Sequence, residues 1–222
     1  MAAYETPEWH PAFEEYCETI FELGEDQIDV IQARIAERLD VSRPAVSEMV
    51  HRMAAEGLVD LTGNRIALTD DGRRLAEQVV RRHRLAERFL TDILGLSWAD
   101  AHDEAGKWEH VISDPVEDAM MRVLDHPTTC PHGNPIPGSG YEVKAVKTLS
   151  ELEVGASFVI RRIPEELEFT PGLLEFLEQS RVIPDQQGVV SSAAPDGTRT
   201  LEIDGDHVGI GEFAASRIQV SV

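Results

Sequence analysis

The sequence predicts a mainly α chain: a winged helix-turn-helix unit, a helical middle and a small C-terminal β-barrel. Three observations carry that expectation. Two short amphipathic segments flank a break at Val41-Ser42; two apolar runs around Gly63-Asn64 follow directly; and residues 141–222 trade helical periodicity for short strand-like runs.

Taken in order, residues 12–23 place Phe13, Tyr16, Ile20 and Leu23 at helical spacing with acids between them, which predicts an amphipathic helix. Residues 28–40 put Ile31, Ile35 and Leu39 on one stripe. The pattern breaks at Val41-Ser42 and restarts at Arg43. Ser42 suits the N-cap, and Pro44 sits in the first turn, where its missing N–H costs little. The restarted helix runs through Val46, Met49, Val50 and Met53 to a stop at Gly57. Residues 58–69 read as a hairpin about Gly63-Asn64, a wing beside the second helix.

A long helix is expected over 70–94, opening on Asp70-Asp71, with Leu75, Val79, Leu85, Phe89 and Ile93 on its apolar side. Further helices are expected over 98–112 and 114–125, the latter started by Asp114-Pro115. These carry more apolar surface than one small layer needs, which points to dimerisation. The Pro- and Gly-rich stretch 126–140 closes that unit. Strands are expected at 158–163, 188–193, 199–203, 207–210 and 217–222, with a helix at 171–180, the pattern of a small, partly open barrel. The expected units are 1–70, 71–140 and 141–222.

The net charge is −21, from 41 acidic and 20 basic residues, of which three, Lys107, Lys144 and Lys147, are lysines. Such a surface repels itself unless salt screens it, so the composition suggests a salt-loving microbe. The charge is uneven. Residues 1–30 hold nine acids and no Lys or Arg, whereas residues 31–65 hold five of each sign. The neutral stretch is the one a phosphate backbone would tolerate, and it contains the helix-turn-helix. Two cysteines, Cys17 and Cys130, are too few for a disulfide framework and point to a reducing interior. No apolar run approaches the ~18 residues of a membrane span, so a cytoplasmic protein with no membrane partner is expected.

In a helix-turn-helix the start of the second helix meets the major groove. Here that face holds Ser42, Arg43, Pro44, Ala45, Ser47 and Glu48, then His51 and Arg52 one turn on, with Arg65 in the wing. Ser47 can donate to DNA, Pro44 and Ala45 can touch thymine methyls, and the arginines suit phosphates.

A second constellation suits a metal. His83 and Glu87 are four apart on the long helix; His102, Glu109 and His110 lie on the next; Glu15 and Glu18, with Cys17 between them, lie on the first. Imidazole with carboxylate and no obligatory thiolate suits Mn(II) or Fe(II). No spaced His-Glu-x-x-His signature occurs, and neither an open coordination position nor a general base can be located, so no enzyme is expected.

The stretches 31–59, 82-RHRLAERFL-90, 102-HDEAGKWEHVISDPVE-117 and 127-PTTCPHGNPIPG-138 resemble the diphtheria-toxin-repressor and manganese-transport-regulator family of metal-dependent repressors; with the acidic, lysine-poor composition, a member from a halophilic archaeon is expected. The resemblance implies a homodimer, one or two per palindromic operator, repressing metal-uptake genes, with about two Mn(II) or Fe(II) ions per subunit. It implies an SH3-like, FeoA-like C-terminal domain. One site would use His83, Glu87 and His102 with Glu165 and Glu168 from that domain. The other would use Glu15, Glu109, His110 and the Gly106 carbonyl, with Glu18 as a further carboxylate. Gly106 departs from the pattern, since family members carry a cysteine or carboxylate there; water, Cys17 or Glu18 would fill the vacancy. Hard carboxylates favour Mn(II), with Fe(II) close behind. The alternatives are a winged-helix regulator answering Fe(II) or a non-metal signal, and, from another class, a metalloenzyme.

Overall fold

A computed structural model of the chain describes residues 10–142 and 145–222; the first nine residues of the expected N-terminal unit lie outside that range. Helix α1 spans His10–Glu25, α2 Gln32–Arg38 and α3 Arg43–Ala55. The sequence signals at α3 act as expected: the Ser42 hydroxyl accepts from Ala45 N at 3.3 Å, and a proline occupies the first turn. Strands β1 (Val59–Thr62) and β2 (Arg65–Leu68) pair antiparallel across the Gly63-Asn64 turn. Phe13, Ile20, Ile35, Val46, Val50, Met53, Leu58 and Ile66 pack into one core beneath them.

Helix α4 (Asp70–Arg88) starts hard against the wing. A Cβ at Gly72 would lie 2.0 Å from Leu58 O, so the helix can approach this closely because that residue is glycine. The long helix expected to residue 94 stays α-helical to Arg88 and ends in a π-turn over Phe89–Ile93, where Leu94 N bonds Phe89 O at 3.2 Å. Helices α5 (Trp98–Trp108) and α6 (Asp114–Val123) complete the middle unit, packed on α4 through Ala86, Leu90, Ala101, Ala105, Ile112 and Met120.

The C-terminal unit holds strands β3 (Lys147–Thr148), β4 (Ser157–Arg162), β5 (Gln187–Ala193), β6 (Arg199–Ile203), β7 (Asp206–Ile210) and β8 (Gln219–Ser221). They form one antiparallel sheet in the order β3-β8-β4-β5-β6-β7. Among the described residues the sheet stays open, because β3 and β7 are its edges rather than partners. Helix α8 (Leu173–Gln179) matches the expected helix, while α7 (Glu165–Glu168) and α9 (Glu212–Ala215), one turn each, carry no periodic signal. Trp98 of α5 is buried in the core of this unit, so the C-terminal domain is anchored on the helical one.

Candidate metal centre

Helix α1 carries an acidic stripe at Glu14, Glu18, Glu22 and Glu25, a spacing that keeps all four near one face. Each meets a partner from another element. Glu14 Oε2 lies 2.6 Å from His110 Nδ1, Glu22 3.7 Å from Arg38 Nη2, and Glu25 2.8 Å from Arg84 Nη2 and from Arg162 Nη2. Glu18 gathers with His83 and Glu109, their nearest ligand atoms within 4.8 Å of one another.

His83 joins two groups. Its Nδ1 lies 2.5 Å from Glu109 Oε2, towards α1 and α5, while its Nε2 lies 3.3 Å from Glu87 Oε1 and 3.3 Å from His102 Nδ1. One imidazole therefore spans both ligand sets. Beyond it, Glu87 Oε1 also lies 3.1 Å from His102 Nδ1 and 3.5 Å from His132 Nδ1. From α7, Glu168 Oε2 approaches His102 at 3.1 Å, and its Oε1 approaches His132 at 3.0 Å. Glu165 joins the His102 side and is also held by Arg84 at 3.0 Å.

The far wall comes from the Pro-rich stretch. Cys130 N bonds Asn134 O and Gly133 N bonds Cys130 O, forming a tight turn, and Ile163 N bonds His132 O. Gly133 has φ +87°, and a Cβ there would lie 2.2 Å from Arg161 O, so glycine lets the turn press on the C-terminal domain. The turn buries Cys130 and His132 completely and groups them with Glu87.

Among the described residues, both His132 ring nitrogens and one oxygen each of Glu87, Glu165 and Glu168 are buried without a hydrogen-bond partner in good geometry. Orphaned buried polar atoms are costly and uncommon in native proteins. Imidazole, carboxylate and thiol groups gathered in overlapping sets, each with ligand atoms within 4.8 Å of one another, form a donor set that fits a divalent transition ion, which would engage one nitrogen of the His132 ring together with neighbouring carboxylate oxygens.

Burial opposes a charge on His102, but Glu168 and Glu87 override it and raise its pKa to about 10. Burial likewise opposes charge on His83 and His132, and their facing carboxylates lift both well above the usual value. Burial would raise Glu168, yet His132 and His102 hold it down at about 2. Burial and neighbouring Glu87 push the Cys130 thiol up to about 11.

A pH dependence follows for the metal-free protein. His102 stabilises the fold fully below its usual 6.5, and that contribution is lost as pH rises through about 10. Glu168 stabilises above its usual 4.5, and that contribution is lost as pH falls through about 2. Thermal unfolding of chelator-treated protein is expected to show its highest midpoint between these usual values and a decline toward alkaline pH. A midpoint climbing steadily from acid to alkaline pH would contradict this.

His83, Glu87, His102, Glu165 and Glu168 converge on the buried centre. Glu15, Glu18, Gly106 and Glu109 line a cavity of about 300 Å³ together with His83, His102 and Phe169. Gly106 has nothing within 4 Å of a notional Cβ, so the missing side chain leaves open space there. His110 is paired with Glu14 rather than Glu15, which is exposed. Cys17 is a correction. It is fully buried in the apolar core with Phe13 and Ile20, three or four residues away on the same face, and burial with nearby Glu14 raises its thiol to about 12. It cannot fill the vacancy at Gly106. Cys130 and His132 also join the buried groups and Glu14 pairs with His110, three positions not expected from the sequence as candidate ligands.

The comparisons agree with this architecture. Residues 10–67 match the iron dependent repressor N-terminal DNA binding domain, 69–138 the iron dependent repressor metal binding and dimerisation domain, and 147–222 the FeoA domain. The chain is 41% identical over 204 residues to the iron-dependent repressor IdeR of Mycobacterium tuberculosis (strain ATCC 25618 / H37Rv), covering 86% of this chain and 88% of that protein. The chain belongs to the iron-dependent repressor family. It is a metal-dependent, DNA-binding transcriptional repressor.

This repressor is also 54% identical over 126 residues to the diphtheria toxin repressor of Corynebacterium efficiens, covering 56% of this chain and 55% of that one. Among solved structures it is similar to a manganese-dependent transcriptional repressor in complex with manganese, with a TM-score of 0.83, 33% identity and coverage of 94% and 98%. It is similar as well to T. acidophilum IdeR, with a TM-score of 0.78, 27% identity and 99% coverage of both chains.

The face expected from the sequence to read DNA is open. Pro44, Ser47, Glu48, His51 and Arg52 line a shallow groove along α3, and Ser42, Arg43 and Ala45 are exposed at the start of the same helix. His51 Nδ1 lies 2.6 Å from Ser47 O, which fixes the ring against its own helix. Arg65 in the wing is tied to Asp29 at 3.1 Å, so it must leave that acid to reach a phosphate. Of the described helices, none is long and apolar enough to cross a membrane.

Proposed function

We propose that this repressor answers Mn(II), with Fe(II) the close second, and grips a palindromic operator as a homodimer to silence metal-uptake genes in the cytoplasm. The three units are assigned to residues 1–70, 71–140 and 141–222. The observation that carries the reading is the placement of His83 between two ligand sets, one reaching α1 through Glu18 and Glu109, the other reaching α7 through Glu87 and His102. Carboxylate and imidazole donors dominate both sets, which favours the harder ion.

A bound divalent ion supplies the positive charge that lets these carboxylates share a pocket without protons. Glu18 then holds α1, and with it the DNA-reading unit, against Glu109 of the α5 end. Glu165 and Glu168 hold the C-terminal domain against α4. Two reading heads fixed at one spacing meet DNA with their ordering cost already met. Moving the competent fraction from 1% to 99% needs about 5.5 kcal/mol of differential binding, within reach of several ligand contacts. The dimer surface is supported by exposed Ile93, Leu94, Val111, Val116 and Val123, all in the helical unit. The surplus of acid supports work in high salt.

The test is calorimetric titration of chelator-treated protein with Mn(II), anaerobically and in high potassium. About two ions per subunit are expected, one in the α1 cavity and one in the buried centre. Absence of uptake would refute the reading.

A further inference from the structure

Phe169 is the C-cap of α7, next in sequence to Glu168. It is 49% exposed, so burial in a core does not fix its position. Two contacts do. Its ring meets the His102 ring edge-to-face, centroids 5.5 Å apart and planes at 87°. The Arg38 guanidinium lies 4.0 Å from its centroid, a cation–π distance.

Arg38 closes α2, the first helix of the helix-turn-helix. Its side chain is 6% exposed, and it also donates to the backbone carbonyl of Glu165 at 3.2 Å. The same arginine therefore touches both ends of α7, a single turn whose acids Glu165 and Glu168 face the buried centre. A second junction lies nearby: Arg162 binds Glu25 and Asp26 at 2.8 and 2.6 Å, and Asp26 accepts from Glu166 N at 3.4 Å. That junction holds the C-terminal domain against the end of α1. The Phe169 contact differs because it adjoins the ligands themselves.

We propose that Phe169 and Arg38 form a coupling contact that conveys ion loading from the C-terminal domain to the DNA reader. Phe169 is a positioning residue in this scheme. When Glu165 and Glu168 engage an ion, α7 settles, and the aromatic ring with the Glu165 carbonyl fixes Arg38 and hence α2 beneath the recognition helix. This route is separate from the α1 bridge through Glu18, and it rests on the metal reading above.

The experiment compares the wild type with Phe169→Leu and Phe169→Tyr, each titrated with Mn(II). Three quantities are read: ions bound per chain, amide exchange in α2 and α3, and affinity for a duplex selected from a random pool by the Mn(II)-loaded wild type. Phe169→Leu, compared at Mn(II) concentrations that saturate its own ion uptake, is expected to lose the Mn(II)-induced protection of α2 and α3, with duplex affinity down about tenfold. Phe169→Tyr keeps an aromatic face and is expected to stay within about twofold of wild type. Arg38→Met is expected to repeat the Leu pattern, which guards against a folding defect in one variant.

Wild-type protection and affinity in Phe169→Leu would overturn the proposal. So would loss of an ion in that variant, since the ring would then shape the centre rather than relay its state. A wild type that takes up no Mn(II) would instead remove the metal reading on which the coupling stands.

Discussion

Glu87→Gln is expected to lose the ion of the buried centre and, in its metal-free form, to unfold more easily by about 3–5 kcal/mol. The glutamate is fully buried, with Oε1 within 3.5 Å of nitrogens on His83, His102 and His132. Burial would raise its pKa, yet His132 and His83 hold it well below the usual carboxylate range, so the charge is present when the protein folds. Gln preserves the shape and removes the charge, leaving buried imidazolium groups short of a counterion. Part of the penalty is relieved if a histidine gives up its proton, so the loss shrinks as pH rises. Denaturant unfolding of chelator-treated protein measures the first effect, and Mn(II) calorimetry the second. A variant as stable as wild type that still binds about two ions would contradict the assignment.

Much of this was legible in the residues. The α3 boundaries follow from Ser42, Pro44 and Gly57, and the wing from Gly63-Asn64, because caps and tight turns depend on local chemistry. The pairing of His83 with Glu87 follows from helical spacing alone. The grouping of Cys130 and His132 with Glu87 was not legible. They sit in an aperiodic turn, and their partner Glu87 lies more than forty residues earlier, joined to them by tertiary contact rather than by any repeat. Helix α7 is too short to leave a periodic trace. The double duty of His83 depends on which ring nitrogen faces which helix, and sequence spacing does not encode that.

Helix α1 offers a more instructive case. Phe13, Cys17 and Ile20 share the apolar face, so Cys17 belongs to the core by the same periodicity that identified the helix. Glu14, four residues before Glu18, shares the acidic stripe and contacts His110, whereas Glu15, expected beside His110 as a ligand of the same site, is exposed. Read as a stripe rather than as a pair, the acids would have identified both.

Glu109→Gln is the second large effect. Glu109 is 4% exposed, with Oε2 2.5 Å from His83 Nδ1 and Oε1 3.2 Å from His110 Nε2. It is therefore the carboxylate through which the end of α5 reaches both the shared histidine and, by way of His110, Glu14 of α1. Burial and the Glu109 charge lift the Glu18 pKa well above the usual range, so an ionised Glu18 beside Glu109 is unfavourable without an ion. Removing the charge weakens the ion's hold on both helices while leaving the apolar contacts of α1 and α4 intact. The Mn(II)-dependent gain in DNA affinity is expected to fall by about 100-fold. Fold and dimerisation are expected to persist.

The measurement that bears most directly on the central claim is fluorescence anisotropy of a labelled duplex, selected by the Mn(II)-loaded protein, titrated in matched high salt. Rigorously demetallated wild type, the same protein replenished with Mn(II), and Glu109→Gln with Mn(II) are compared. The expected result is tight binding by the replenished wild type alone. Equal affinity for the demetallated and replenished forms would contradict a switch built on an ion joining α1 to the dimerisation helices.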